Sequence, residues 1–236
     1  MDALKTVPHP EENKFSVVDG YHRLSAAILN GEKGLECEIV LGLSTDPKER
    51  LIQEATLFAT QNDEVDVLSP VEKHKANVLR GVTENVILDE LINKYNIPLK
   101  TNPSHGRVLI GHLAGYTQAL GVAKRHGRQM LNDIFYVICE SRWNIAHNGL
   151  SANVISPVAN MFKFHPTYRE EIIKALIEYF KPIEPENFFA SAMDEYPERK
   201  EKERLALYLE DVLCSKIGMT RTYTHRCSVT DTAKAA

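Results

Sequence analysis

The sequence predicts an α+β protein: a small α/β unit at the N-terminus followed by an all-helical region. Three observations carry this expectation. Runs rich in β-branched residues occur only early, at "KFSVVDG" and "LECEIVLGL". Helix-start signatures recur from Asp46 onward. From Thr83 the apolar residues keep helical spacing and no strand pattern returns. The expected organisation is an α/β domain over 1–82, a helical domain over 83–220 and a flexible tail over 221–236.

"KFSVVDG" stops at Gly20 and reads as a buried strand. "YHRLSAAILNG" follows, with Leu24, Ala27 and Ile28 at the i, i+3 and i+4 spacing of a helix packed on that strand, and Gly31 as its stop. "LECEIVLGL" is a second strand. In "STDPKERLIQEATLFATQ" Asp46 is the N-cap, Pro47 takes the first helical position and Glu49 follows three residues after the cap. "LSPVEKHKANVLRG" repeats the device with Ser69, Pro70 and Glu72. The intervening "QNDEVDV" is expected to be a polar loop. "TENVILDELINKYNIPLK" is a capped helix ending near Asn96, and amphipathic segments follow at about 107–125, 128–143, 167–181 and 198–217. Trp143, Phe135, Tyr116 and Tyr136 are expected in the core. Gly111 and Gly115, four apart, suit a close helix approach.

At 236 residues, 43% hydrophobic and 25% charged, the composition is that of an ordinary globular protein with a proper core. No apolar run is long enough to span a bilayer, and "MDALKTVPHPEEN" lacks the basic and apolar regions of a secretory signal. Cys37, Cys139, Cys214 and Cys227 form no C-x-x-C pair, and the nine histidines give no H-x-x-x-H pair. Buried thiols in a reducing cytoplasm, without a zinc site, are expected.

The corner at Gly20 gathers Asp19, Gly20, Tyr21, His22 and Arg23. A strand that ends in glycine and turns directly into a helix leaves the first helical N–H groups pointing outward, at the positive end of the helix dipole. Gly20 lets an anion approach the backbone, and His22 and Arg23 add side-chain donors. Asp19 can orient an arginine, accept from a ribose or hold a divalent cation. A plain Asp-Gly turn with a solvated Arg23 is the alternative.

"VVDGYHRLSAA" resembles the glycine-led, arginine-containing box of the ParB/sulfiredoxin-like superfamily. That group includes ParB partition proteins, sulfiredoxins, free-serine kinases and the DGxHR-type proteins of phages and DNA-modification loci. A second ParB box, Glu-Asn-x-x-Arg followed by Leu-x-Pro-x-Glu, aligns with "QNDEVDVLSPVE". The resemblance spans about residues 14–82. It implies a nucleotide site at Gly20, Tyr21, His22, Arg23 and Asn62, with a nucleoside tri- or diphosphate and Mg²⁺ as cofactor. The departures are specific. Gln61 stands at the family's glutamate and Val65 at its arginine, so ParB-type CTP hydrolysis is not expected. Tyr21 stands where sulfiredoxins carry cysteine. An acidic residue of the free-serine-kinase kind has only Glu11 and Glu12 to come from, and the chain reads as N-terminally shortened.

Between Glu90 and Asp133 there is no carboxylate, while Lys94, Lys100, Arg107, Lys124, Arg125 and Arg128 lie in that interval with His105, His112 and His126. Such a block reads as a phosphate-backbone footprint, against the blander reading of a face whose carboxylates come from elsewhere in the fold. In ParB proteins this region leads into a helix-turn-helix. "LDELINKYNIPLK" resembles its opening, but "TNPSHG" is too long for its turn.

The resulting expectation is a ParB-like, DNA-associated protein of phage or plasmid kind, with DNA, a nucleotide and a second copy of the chain as partners. A phosphotransferase or nuclease using Asp19 and His22 as catalytic groups is the first alternative. A non-catalytic interaction module of the same fold is the second.

Overall fold

The computed structural model describes residues 3–65, 70–99 and 110–223, and no side chain between 61 and 70. The chain divides into two compact units, Met1–Val82 and Thr83–Ala236. A small sheet lies in the first and the second is helical, so the α+β class holds. Among the described residues no helix is long and apolar enough to cross a membrane.

The first unit opens with strand β1, Leu4–His9, which the sequence reading left unassigned. It pairs antiparallel with β2, Lys14–Asp19, and parallel with β3, Cys37–Ile39, giving the order β2-β1-β3. A Pro in a central strand usually removes a ladder bond. Here β3 pairs only with Leu4–Thr6, so Pro8 lies beyond its reach. The hairpin closes through Glu12 N–H to the His9 carbonyl (3.1 Å), with Asn13 left-handed at φ 51°.

Helix α1, Tyr21–Leu29, forms the crossover from β2 to β3. Only Ala27 of it is buried; Ile28 is 68% exposed, so the expected apolar face is narrower than its spacing suggested. Helix α2, Pro47–Val65, starts as expected: the Asp46 carboxylate accepts the N–H of Lys48 (2.8 Å) and of Glu49 (3.1 Å). The helix runs on through "QNDEV", where a loop was expected, because nothing in that polar stretch breaks a helix. Helix α3, Pro70–Leu79, completes the unit; its expected cap, Ser69, lies outside the described residues.

In the second unit α4, Thr83–Lys94, packs on α5, Tyr116–Glu140. The division expected between the segments 107–125 and 128–143 falls at Gly127 (φ 76°, ψ −175°), where two helical stretches of α5 meet at a kink, the first of them starting at Tyr116. Then come α6, Ala152–Phe164, α7, Arg169–Phe180, α8, Pro185–Glu195, and α9, Glu201–Ile217. The core is continuous from Leu88 of α4 through Ile134, Phe135 and Ile138 of α5 to Leu209 and Leu213 of α9. Trp143 lies in it, stacked on Phe180 with ring centroids 3.9 Å apart. Tyr136, expected inside, is 41% exposed, since it lies about 100° round the helix from buried Phe135. Gly115 brings the start of α5 against α6: a Cβ there would lie 2.8 Å from Ile155 Cδ1.

The tail begins later than residue 221. Buried Glu210 of α9 accepts the N–H of Thr222 (2.7 Å) and of Tyr223 (2.6 Å), and Tyr223 meets Phe164 edge-on. These bonds fix 221–223 on the helical unit, and the rest of the expected tail lies outside the described residues.

Candidate functional site

The bend between β2 and α1 is built around Gly20, whose backbone is left-handed at φ 91°. An L-residue with a Cβ is strained there. It is also crowded: a Cβ would lie 2.6 Å from Leu4 Cδ2 and 2.8 Å from Arg23 Nη2. Glycine therefore admits the Arg23 side chain, which folds back over the bend. Its guanidinium donates to Asp19 Oδ2 (3.2 Å) and to the Ala3 carbonyl (3.2 Å). Of the roles open to Asp19, orienting this arginine is the one the geometry displays.

Among the described residues no side chain caps the N-terminus of α1. The N–H groups of Tyr21 and His22 there have no partner among the described residues and keep the electropositive character of an open helix end. Tyr21 is 67% exposed, and its ring meets that of His22 edge-on. His22 is exposed and makes no hydrogen bond among the described residues, so no carboxylate orients it as a general base. Asn62 falls in the last turns of α2, with its side chain outside the described residues. The bend thus gathers Asp19, Gly20, Tyr21, His22 and Arg23, with the guanidinium turned inward and the imidazole outward.

Carboxylates of α4 balance two of the four described cations of the basic block. Lys124 Nζ lies 3.7 Å from Glu84 Oε1, Arg128 pairs with Glu90, and Lys94 donates to Asn132 Oδ1 (2.7 Å). Carboxylates absent from the sequence interval are supplied across the α4–α5 packing. Lys100 and Arg107 lie outside the described residues. Arg125 remains, with no ion pair among the described residues, next to His126 and near Lys163 of α6. Burial, then the charges of Arg125 and Lys163, hold the His126 pKa below the ordinary histidine value. Lys94 and Arg125 are thus without a counter-charge among the described residues, and Arg125, His126 and Lys163 gather at the break in α5.

Residues matching a described family run from 8 to 225, and the description of that family is "Family of unknown function (DUF6551)". The chain belongs to DUF6551. No curated protein and no solved structure matches it. The match takes in both units, so the Gly20 bend and the α5 break lie within the region that defines a DUF6551 chain.

One polar cluster escaped the sequence reading of this DUF6551 protein. His9 of β1, Ser16 of β2 and Glu54 of α2 converge: Ser16 Oγ donates to Glu54 Oε2 (2.7 Å), and His9 Nε2 lies 3.1 Å from Ser16 Oγ and 2.9 Å from Glu54 Oε1. Arg50, one turn before Glu54 and as deeply buried, pairs with Glu11 and lies 3.9 Å from Glu54 Oε1. The imidazole turns the same nitrogen, Nε2, to both the hydroxyl and the carboxylate. Its Nδ1 is 3.7 Å from Glu11 Oε1, beyond a hydrogen bond. A nucleophile relay needs the two ring nitrogens on different partners. The cluster is a tie between hairpin and α2, and Glu11 serves it as Arg50's counter-charge. The available sequence signal was Arg50 and Glu54 at i, i+4 on a helix face otherwise apolar.

Proposed function

We propose that this chain is a ParB-like, DNA-associated protein whose α/β unit takes the phosphates of a nucleoside tri- or diphosphate with Mg²⁺ at the Gly20 bend. The single observation that carries this reading is the uncapped start of α1 behind a left-handed glycine, with His22 exposed beside it. Open helix N–H groups and a neighbouring imidazole suit phosphate oxygens. The two sequence boxes add support. The helical unit contacts DNA through the charge at the α5 break, Arg125, His126 and Lys163. Lys124 and Arg128 can join, because exposed ion pairs such as theirs are worth only about 0–1 kcal/mol and yield readily to phosphate.

The test is a calorimetric titration of CTP, ATP and ADP with Mg²⁺ into the wild type and into His22→Ala. An exposed imidazole can be removed without disturbing the fold. Heat from the wild type and an affinity about fivefold weaker in the variant are expected, the size of one lost hydrogen bond. No heat from any nucleotide overturns the reading. It would favour a non-catalytic interaction module, to which the internal engagement of Arg23 also lends itself. Phosphate release lost in His22→Ala would instead favour a phosphotransferase. For the DNA arm, affinity is expected to fall steeply with salt and its slope to shrink in Arg125→Gln.

A further inference from the structure

The sequence run "LECEIVLGL" has strand character over more residues than β1 can pair. Only Cys37–Ile39 forms β3, because β1 reaches it through Leu4–Thr6 alone. The pairing is parallel and its register unbroken. Leu4 donates its N–H to the Glu36 carbonyl (2.9 Å) and Val40 donates to the Thr6 carbonyl (2.8 Å), so alternate residues from Glu36 to Val40 face β1. Cys37, Ile39 and Leu41 therefore turn their N–H and C=O groups to the open side. β3 is an outer strand in the order β2-β1-β3, and among the described residues no backbone bond closes that side. The side chains of the same three residues share one face, since their direction repeats every second residue. It is the face of α1: Cys37 lines a cavity with Leu4 of β1 and with Leu24 and Ile28 of α1. Ile39 is 50% exposed and Leu41 79%, and Ile28 is uncovered beside them.

We infer that the outer edge of β3 pairs antiparallel with the same edge of a second copy of this chain, with Ile39 on the twofold axis. A twofold interface has to complement itself, and here charge and backbone select its register. Centred on Ile39, the pairing brings Cys37 opposite the second copy's Leu41 and Glu38 opposite its Val40. Centred earlier, on Cys37 or Glu38, it sets glutamate opposite glutamate, and like charges directly opposite destabilise a sheet. Centred later, on Val40 or Leu41, it runs past Gly42, whose left-handed backbone (φ 84°) ends the extended run. The Ile39 register is also the one that pairs all three outward residues. Cys37, Ile39 and Leu41 of both copies then form one apolar row on the α1 face. This covers a patch that a free edge leaves in water. The pairing does not depend on the phosphate reading of the Gly20 bend.

Sedimentation equilibrium of the full chain should show a reversible dimer. Ile39→Lys, an exposed substitution, sets two ammonium groups against each other at the axis, and dimer affinity should fall about tenfold. Leu41→Cys tests the register, because it places a thiol opposite the second copy's Cys37. Residues of a hydrogen-bonded antiparallel pair lie about 5.5 Å apart at Cα, a separation that a disulfide spans. Oxidised glutathione should therefore link this variant into a covalent dimer, with peptide mass spectrometry finding Cys37 joined to the introduced thiol. Within one chain the two positions are four residues apart along extended backbone, too far to bond. A monomer at every concentration up to the solubility limit overturns the inference. So does a dimer that Ile39→Lys leaves unchanged, or one in which Cys37 and the introduced thiol form no link.

Discussion

At Gly20 a residue without a side chain answers two demands at once: a left-handed backbone and room for Arg23 to reach Asp19. Gly20→Ala should therefore cost about 2–3 kcal/mol, from backbone strain and from displacing Leu4 or Arg23. Thermal melting reads this directly, and a Tm unchanged from wild type would show that the bend relaxes freely. His126 gives a second residue-level expectation. Its pKa is held down by burial and by Arg125 and Lys163. The unfolded chain then takes up the proton first, so stability should fall as pH drops through the ordinary histidine range and recover above it. His126→Gln should flatten that slope, as measured by denaturant midpoints across the range. DNA at the α5 break should raise the His126 pKa in an NMR titration, because phosphate offsets the cations that depress it.

Elements end where their backbone groups find partners, and α7 shows this best. Phe180 is its last residue, and the carbonyls at a helix C-terminus lack internal donors. The Trp143 indole N–H supplies one, shared between the Ile183 carbonyl (2.8 Å) and the Phe180 carbonyl (2.9 Å), which also accepts the Ile183 N–H (3.2 Å). Trp143→Phe keeps most of the stacking on Phe180 but strips this cap, and a loss of about 1–3 kcal/mol in chemical denaturation is expected. Retained stability would mean that water reaches those carbonyls. The elements legible in the sequence were those with local signals. Asp46 and Pro47 marked the start of α2, Pro98 followed the end of α4, and the gap between the segments ending near 125 and starting near 128 matched the break at Gly127. β1 was hidden because "LKTVPH" has a proline and weak alternation, and its strand character comes from pairing with β2. α6 was hidden because Pro157 lies inside it and its residues are apolar on most sides. The Gly20 bend was legible as a strand-to-helix corner. The inward turn of Arg23 was not, since Ala3 and Leu4 come from a strand without a local signature.

The two units differ in what holds them together. The fully buried large side chains, among them Trp143, Phe135, Phe180, Phe188 and Leu131, all belong to residues 83–236. Among the described residues, the buried apolar set of residues 1–82 is Leu4, Val7, Val18, Val71 and four alanines, with Arg50 and Glu54 buried among them. Burial of a large side chain contributes about 1.5–3 kcal/mol, and an alanine contributes far less. A buried ion pair adds little net stability, since desolvation offsets its attraction. The α/β unit should accordingly open at lower free energy than the helical one. Heating the full chain should give two steps rather than one. Amide exchange should be fast in β1–β3 and α1–α3 and slow in α5, α6 and α9. If the proposed nucleotide site exists, a nucleotide would bind only the folded form of the first unit and should raise the lower transition alone, by mass action. A single transition with uniform exchange protection would mean that the helical core stabilises both units together, and the assignment of weakness to residues 1–82 would fall.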